Sequence, residues 1–146
     1  MDARHKSDFY AWTQDQAALA RARSSNALDW DNVALELEAL GKAESRELRS
    51  RFVVLLAHLL KCMIRPERRC RSWANTIANQ RDEIAFHLED NPSLKSQIQD
   101  SFNLAYPLAR RIASTETDMD LELIPLEPPF NVDQARQADW LPDADL

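Results

Sequence analysis

Apolar residues recur along this chain at intervals of three and four over almost its whole length, the period of an amphipathic helix. The first such stretch runs from about Asp8 to Arg23, with Phe9, Trp12, Gln16 and Leu19 at helical spacing and Ser7 or Asp8 ahead of it as a cap. Its stripe is thin and rich in alanine, which suits close packing against a larger partner helix. A second stretch begins near Asp31, where Trp30 and Leu35 are placed for a hydrophobic staple and Val33, Leu37 and Leu40 form one stripe. Gly41 interrupts that stripe. It predicts a break, a kink or a close helix contact, because glycine inside a helix costs about 1 kcal/mol relative to alanine. Beyond it, Leu48, Phe52, Leu55, Leu59 and Met63 continue the pattern, and Leu56 and Leu60 widen it into a central core helix.

Pro66 predicts the end of that helix and the first turn of a third, from about Glu67 to Glu89, with Trp73, Ile77, Ile84 and Leu88 inward. Asn91 followed by Pro92 predicts a capped start for a fourth helix over about 92–115, with Leu94, Ile98, Phe102, Ala105, Ala109 and Ile112 inward and a kink at Pro107. The remainder is acidic and proline-rich yet apolar enough to lie on a surface. Asn131 with Gln134 is a capping-box variant and predicts a short helix from Val132 to about Ala138, after which Trp140 and Leu141 offer an anchor. The pattern therefore describes one all-α domain over residues 1–146. Its core, about 8–116, is an antiparallel bundle of four main helices, and residues from about 117 to 146 form a C-terminal strap.

Composition narrows the classes. One glycine stands where an average chain of 146 residues has about ten. Hairpin-rich β folds, dinucleotide-binding domains and P-loop folds depend on glycine at their turns and phosphate cradles, so the count removes most of them. The longest apolar run, Phe52 to Leu60, is too short for a membrane span and contains His58, and the first ten residues lack the apolar core of a signal peptide. The expectation is a cytoplasmic protein with no membrane association. Cys62 and Cys70 are too few for a disulfide framework or a zinc site and read as two reduced thiols.

The net charge of −6 hides an asymmetry: residues 1–41 carry −3, residues 42–81 carry +7 and residues 82–146 carry −10. The densest feature is Arg65, Arg68, Arg69 and Arg71 with Lys61 and Trp73, five cations about a turn and a helix N-terminus, where they oppose the helix dipole. Such a cluster suits carboxylates of the acidic tail or of a partner, or else phosphate and nucleic acid. The acidic balance of the whole chain favours the former.

The short connection at Pro66 makes the second and third helices an antiparallel hairpin in which position n faces about 131 − n. Trp73 then lies near His58, Ile77 near Val54, and Arg81 near Ser50. Arg81 interrupts the apolar stripe between Ile77 and Ile84, and Glu44 does the same between Leu40 and Leu48. A buried guanidinium requires an acceptor, so Arg81 is expected to pair with Glu44 or Glu47 or to snorkel at the stripe edge.

Catalytic signatures are sparse. His58 with Cys62 and Glu83 with His87 stand one helical turn apart but lack further ligands, and neither a Glu-x-x-His pair nor a His-Glu-x-x-His motif occurs. Glu44 and Glu47 form half of a Mg²⁺ site of the helical nucleotide-pyrophosphatase kind, without the second half. No nucleophile motif is present. The expected set is therefore no catalytic residue, no metal and no cofactor. A non-catalytic module for a protein partner or a homo-oligomer leads. Behind it stand a nucleic-acid or phosphate binder using Arg65, Arg68, Arg69 and Arg71 with Trp73, and a metal-dependent helical hydrolase using Glu44 and Glu47 with Arg81.

The stretches DFYAWTQDQAALARAR, LDWDNVALELEALGKAESRELRSR, VVLLAHLLKC, RPERRCRSWANTIANQR and NPSLK, in that order, resemble the bacterial family catalogued as domain of unknown function 29. The resemblance covers about residues 8–140. It implies a compact all-α fold and carries neither a function nor catalytic residues. It also implies an aromatic where Cys62 stands and a small hydroxyl where Cys70 stands, which weighs against a role for either thiol.

Overall fold

The computed structural model describes residues 3–143. They form six α-helices: α1 (Arg4–Ser7), α2 (Phe9–Arg21), α3 (Trp30–Ile64), α4 (Arg71–Asp90), α5 (Ile98–Thr117) and α6 (Val132–Arg136). The fold is all-α, with no strand among the described residues. No helix among them is long and apolar enough to cross a membrane. The chain divides into two compact units, one ending at Glu44 and the other beginning at Ser45, and α3 contributes residues to each.

In the N-terminal unit, Asp8 caps α2 by accepting from the Ala11 amide at 3.1 Å. The segment before it forms the single turn α1. His5 packs edge-on against Phe9 and Trp12 and hydrogen-bonds to Glu36, while Arg4 pairs with Asp15. Gly41 departs from expectation. Helix α3 runs through it without a break, and a Cβ built there meets nothing within 4 Å. Neither a break nor a close contact explains this glycine.

The core of the C-terminal unit gathers on α3, where Leu48, Phe52, Leu55, Leu56, Leu59 and Leu60 are fully buried. Ile77, Ile84 and Leu88 of α4 and Phe102, Tyr106 and Ala109 of α5 close over them, with Phe52 and Phe102 edge to face at 6.1 Å. Ile124, Phe130 and Ala135 of the strap complete the cluster. Asn131 and Gln134 make the expected capping box, and α6 ends at Arg136.

Two boundaries shift. Pro66 opens a 3₁₀ turn, Pro66–Arg68, and α4 starts only at Arg71. Asn91 makes no side-chain cap for the segment after it; its Nδ2 donates to the His87 carbonyl at 3.0 Å and closes the end of α4. A 3₁₀ segment, Pro92–Gln97, then precedes α5, which begins six residues later than expected and continues through Pro107 to Thr117. The longer turn moves the hairpin register. Lys61 lies over Trp73, Arg51 beside Glu83 and Glu47 beside His87, so facing positions sum to 134 rather than 131. That slip of three residues is nearly one helical turn, and it carries Arg81 away from Glu47.

Candidate functional site

The N-terminal unit is built around Asp29. Its carboxylate accepts from the Trp12 indole at 3.1 Å and from Asn32 Nδ2 at 2.7 Å, and its backbone N–H donates to Gln16 Oε1 at 2.8 Å. Trp12, Gln16 and Asn32 are buried in this lock, which sets α2 beside the first turns of α3. Trp12 is the one large apolar side chain buried among the unit's described residues. Beside the lock lies a groove of about 700 Å³ with almost wholly apolar walls.

Helix α3 lines it with Trp30, Val33, Leu37 and Leu40, a 3-4-3 spacing that keeps one face in line along the groove. Helix α2 lines it with the small residues Thr13, Ala17 and Ala20 and with the buried Trp12 and Gln16 of the lock. Trp30, Leu37 and Leu40 remain 59%, 64% and 64% exposed. Its charged lining residues are one of each sign, Arg23 and Glu36. An apolar groove between two parallel walls of heptad spacing is the shape that receives a further helix. The stripe Val33, Leu37 and Leu40 reads in sequence as core; nothing in its periodicity tells a face covered within the chain from one left open.

The arginine cluster in the C-terminal unit is divided. Arg69 Nε donates to the Cys62 carbonyl at 2.8 Å and its Nη2 to the Pro142 carbonyl at 2.7 Å, and Arg65 Nε reaches the Thr117 carbonyl at 3.4 Å. Among the described residues the acidic tail thus meets the cluster through backbone oxygens rather than carboxylates. The side chains of Arg68 and Arg71 are exposed and make no hydrogen bond or ion pair among the described residues. Trp73 is half-buried, with Lys61 Nζ 4.8 Å from its ring centroid, and that ammonium pairs with Glu116 at 2.7 Å.

Arg81 was expected to pair with Glu44 or Glu47. Its Nε and Nη2 donate instead to the carbonyls of Ala135 at 2.9 Å and Trp140 at 2.7 Å, and burial lowers its pKa from the usual guanidinium value. Glu47 lies 3.4 Å from Arg51 and 3.8 Å from His87, while Glu44 belongs to the N-terminal unit.

Three further donors do the same work along the strap. Tyr106 donates to the Pro125 carbonyl at 2.6 Å, Arg110 to those of Ile124 and Leu121, and Ser114 to that of Met119. An irregular segment cannot satisfy its own carbonyls, so side chains of the helices beneath supply the donors. Arg110 was not singled out in the sequence, although it stands between the buried Tyr106 and Ala113 at the spacing by which Arg81 stands between Ile77 and Ile84.

The weak pair His58 and Cys62 is chemically quiet. Burial lowers the pKa of His58 and raises that of the Cys62 thiol, which favours the neutral form of each. His58 Nδ1 lies 2.9 Å from the Val54 carbonyl, an acceptor, so Nδ1 carries the proton.

The family model for Domain of unknown function DUF29 matches residues 5–141. No curated protein and no solved structure matches the chain.

Proposed function

The chain belongs to the family described as Domain of unknown function DUF29, and from that premise we propose that it is a non-catalytic protein-interaction module whose N-terminal helical hairpin receives an amphipathic helix. The observation that carries this reading is the open groove between α2 and α3. Of the twelve large apolar side chains left exposed among the described residues, six lie in the N-terminal unit, which is less than a third of the chain. A unit of this size does not bury enough surface to stand on its own hydrophobic core and is characteristically completed by association. The arginine cluster supports a phosphate site less well, because Arg65 and Arg69 already donate to carbonyl oxygens and Trp73 lies under Lys61.

A photo-crosslinking residue at Leu37, compared in cells with one at Leu126, tests it. Leu126 is 75% exposed and lies in the C-terminal unit. Discrete polypeptide adducts at position 37, lost on adding Leu40→Asp and absent at 126, are the expected result. No polypeptide adduct at 37 overturns the reading.

A further inference from the structure

In the C-terminal unit, we propose a site for the phosphoryl group of a small, soluble phosphate monoester, between α3 and the start of α5. The site is a recess of about 250 Å³, lined by Ser45, Arg46 and Arg49 of α3 and by Gln97, Ser101 and Leu104 at the N-cap and first turns of α5. Arg46 and Arg49 stand three residues apart on one helix, so their guanidiniums occupy neighbouring positions of the same face. The side chain of neither makes a hydrogen bond or ion pair among the described residues.

Ser101 also lacks a partner. It is 6% exposed and lines the recess, and its hydroxyl makes no hydrogen bond among the described residues. A buried hydroxyl in a helix commonly returns to the carbonyl one turn back, as Thr117 does to Ala113 at 2.6 Å. Ser101 does not, and a buried polar group without a protein partner takes one from whatever fills the recess. Ser45 Oγ donates to Gln97 Oε1 at 2.9 Å. That bond fixes the Gln97 amide and leaves its nitrogen as a donor.

Donor count selects the ligand. Two guanidiniums and a hydroxyl outnumber the two oxygens of a carboxylate and match the three terminal oxygens of a phosphoryl group. Leu104 suits a short carbon chain on the ester oxygen. The volume lies below the roughly 300–1,000 Å³ of sites for drug-sized ligands, which excludes a nucleotide. Asp100 also lines the recess, and two arginines with one aspartate leave a charge of +1. That balance suits one phosphoryl group and not a polyphosphate.

Amide NMR titration of the full chain with glycerol 3-phosphate at low salt tests this, with glycerate as the carboxylate arm. Saturable shifts confined to residues 45–49 and 97–104 are expected, with glycerate bound about 10-fold more weakly. Arg46→Gln and Arg49→Gln each weaken ester binding about 10-fold or more, and Ser101→Ala about 3-fold. Asp100→Asn tightens it. Arg68→Gln, in the other arginine cluster, leaves it unchanged. Arg46, Arg49, Arg68 and Asp100 are exposed, and alanine at 101 is the better helix former, so the variants keep the fold. Absence of saturable binding overturns the proposal. So does glycerate bound as tightly as the ester, or a loss in Arg68→Gln equal to that in Arg46→Gln, which marks diffuse attraction of an anion rather than a site.

Discussion

Arg81 holds the strap at Trp140, its Nη2 donating to the Trp140 carbonyl oxygen at 2.7 Å while Nε takes that of Ala135. One planar cation thereby fixes two carbonyls five residues apart, one on each side of Asp139, whose backbone is left-handed at φ 64°. Arg81→Met removes both charge-assisted bonds and leaves two carbonyls without these donors. The expected loss is about 2–4 kcal/mol in urea unfolding. Arg81→Lys recovers less than half of it, because a point charge does not reproduce the fork. Cleavage between residues 136 and 143 in limited proteolysis rises in both variants. Unchanged stability in Arg81→Met would show that the strap is positioned by its apolar contacts alone.

The arginine cluster makes a paired comparison within one short segment. Arg69→Ala breaks its bonds to Cys62 and Pro142 and is expected to lower stability by about 1–3 kcal/mol. Arg68→Ala and Arg71→Ala remove exposed side chains without partners among the described residues and should stay within about 0.5 kcal/mol of the parent. Chemical denaturation of the three variants side by side separates the roles. Equal costs across the three would mean that charge density, and not the carbonyl bonds, governs this segment.

How far the sequence could be read depends on what each signal encodes. Helical periodicity located α2 to α5, and the Asn131–Gln134 capping box located α6, because both are local. The hairpin register came out three residues short, because a proline announces a turn but not that a 3₁₀ segment will lengthen it. Arg81 was recognised as needing a buried acceptor, yet the acceptors are main-chain oxygens, which every residue carries and no sequence pattern marks. The groove was hidden for a related reason: Leu37 and Leu40 have the spacing of core residues, and the open face appears only where the folded chain leaves them exposed.

Glycine and left-handed backbone are mismatched in this chain, which gives two stabilising substitutions. Gly41 lies inside α3 with open space where a Cβ would stand, so Gly41→Ala should add about 0.5–1 kcal/mol. Asp118, just past the end of α5, adopts φ 55° and ψ 30°. Asp118→Gly relieves that conformation and should also raise the melting temperature, since glycine is the residue that helix ends of this kind favour. A lower melting temperature for Gly41→Ala would mean that a partner backbone lies against position 41.

The two thiols should differ sharply in reactivity. Cys62 is buried, and burial raises its pKa; Cys70 is exposed. A disulfide reagent applied to the native protein at pH 8 is expected to modify one thiol per chain rapidly, lost in Cys70→Ser, and the second only on unfolding. Rapid modification of two thiols would show that the segment around Arg69 and Pro142 opens readily and exposes Cys62.

Alkaline stability should carry the signature of one phenol. Tyr106 is buried and donates to the Pro125 carbonyl, and burial pushes its pKa up from 10 to about 12. The folded state therefore holds this proton more tightly than the unfolded chain. Below pH 10 the phenol is neutral in both states and its contribution is fully present. Between 10 and 12 the unfolded chain loses the proton first, so stability falls by up to about 1.4 kcal/mol per pH unit from this group. Absorbance of the phenolate in Tyr10→Phe, which leaves Tyr106 as the one tyrosine, should show titration near 12 rather than 10. Tyr106→Phe should cost about 1 kcal/mol at neutral pH, through the lost bond to Pro125, and decline less steeply than the parent from pH 10 to 12. If Tyr106 ionises near 10 while the chain remains folded, the strap lifts from α5 at that pH, and the bond to Pro125 is not what holds it down.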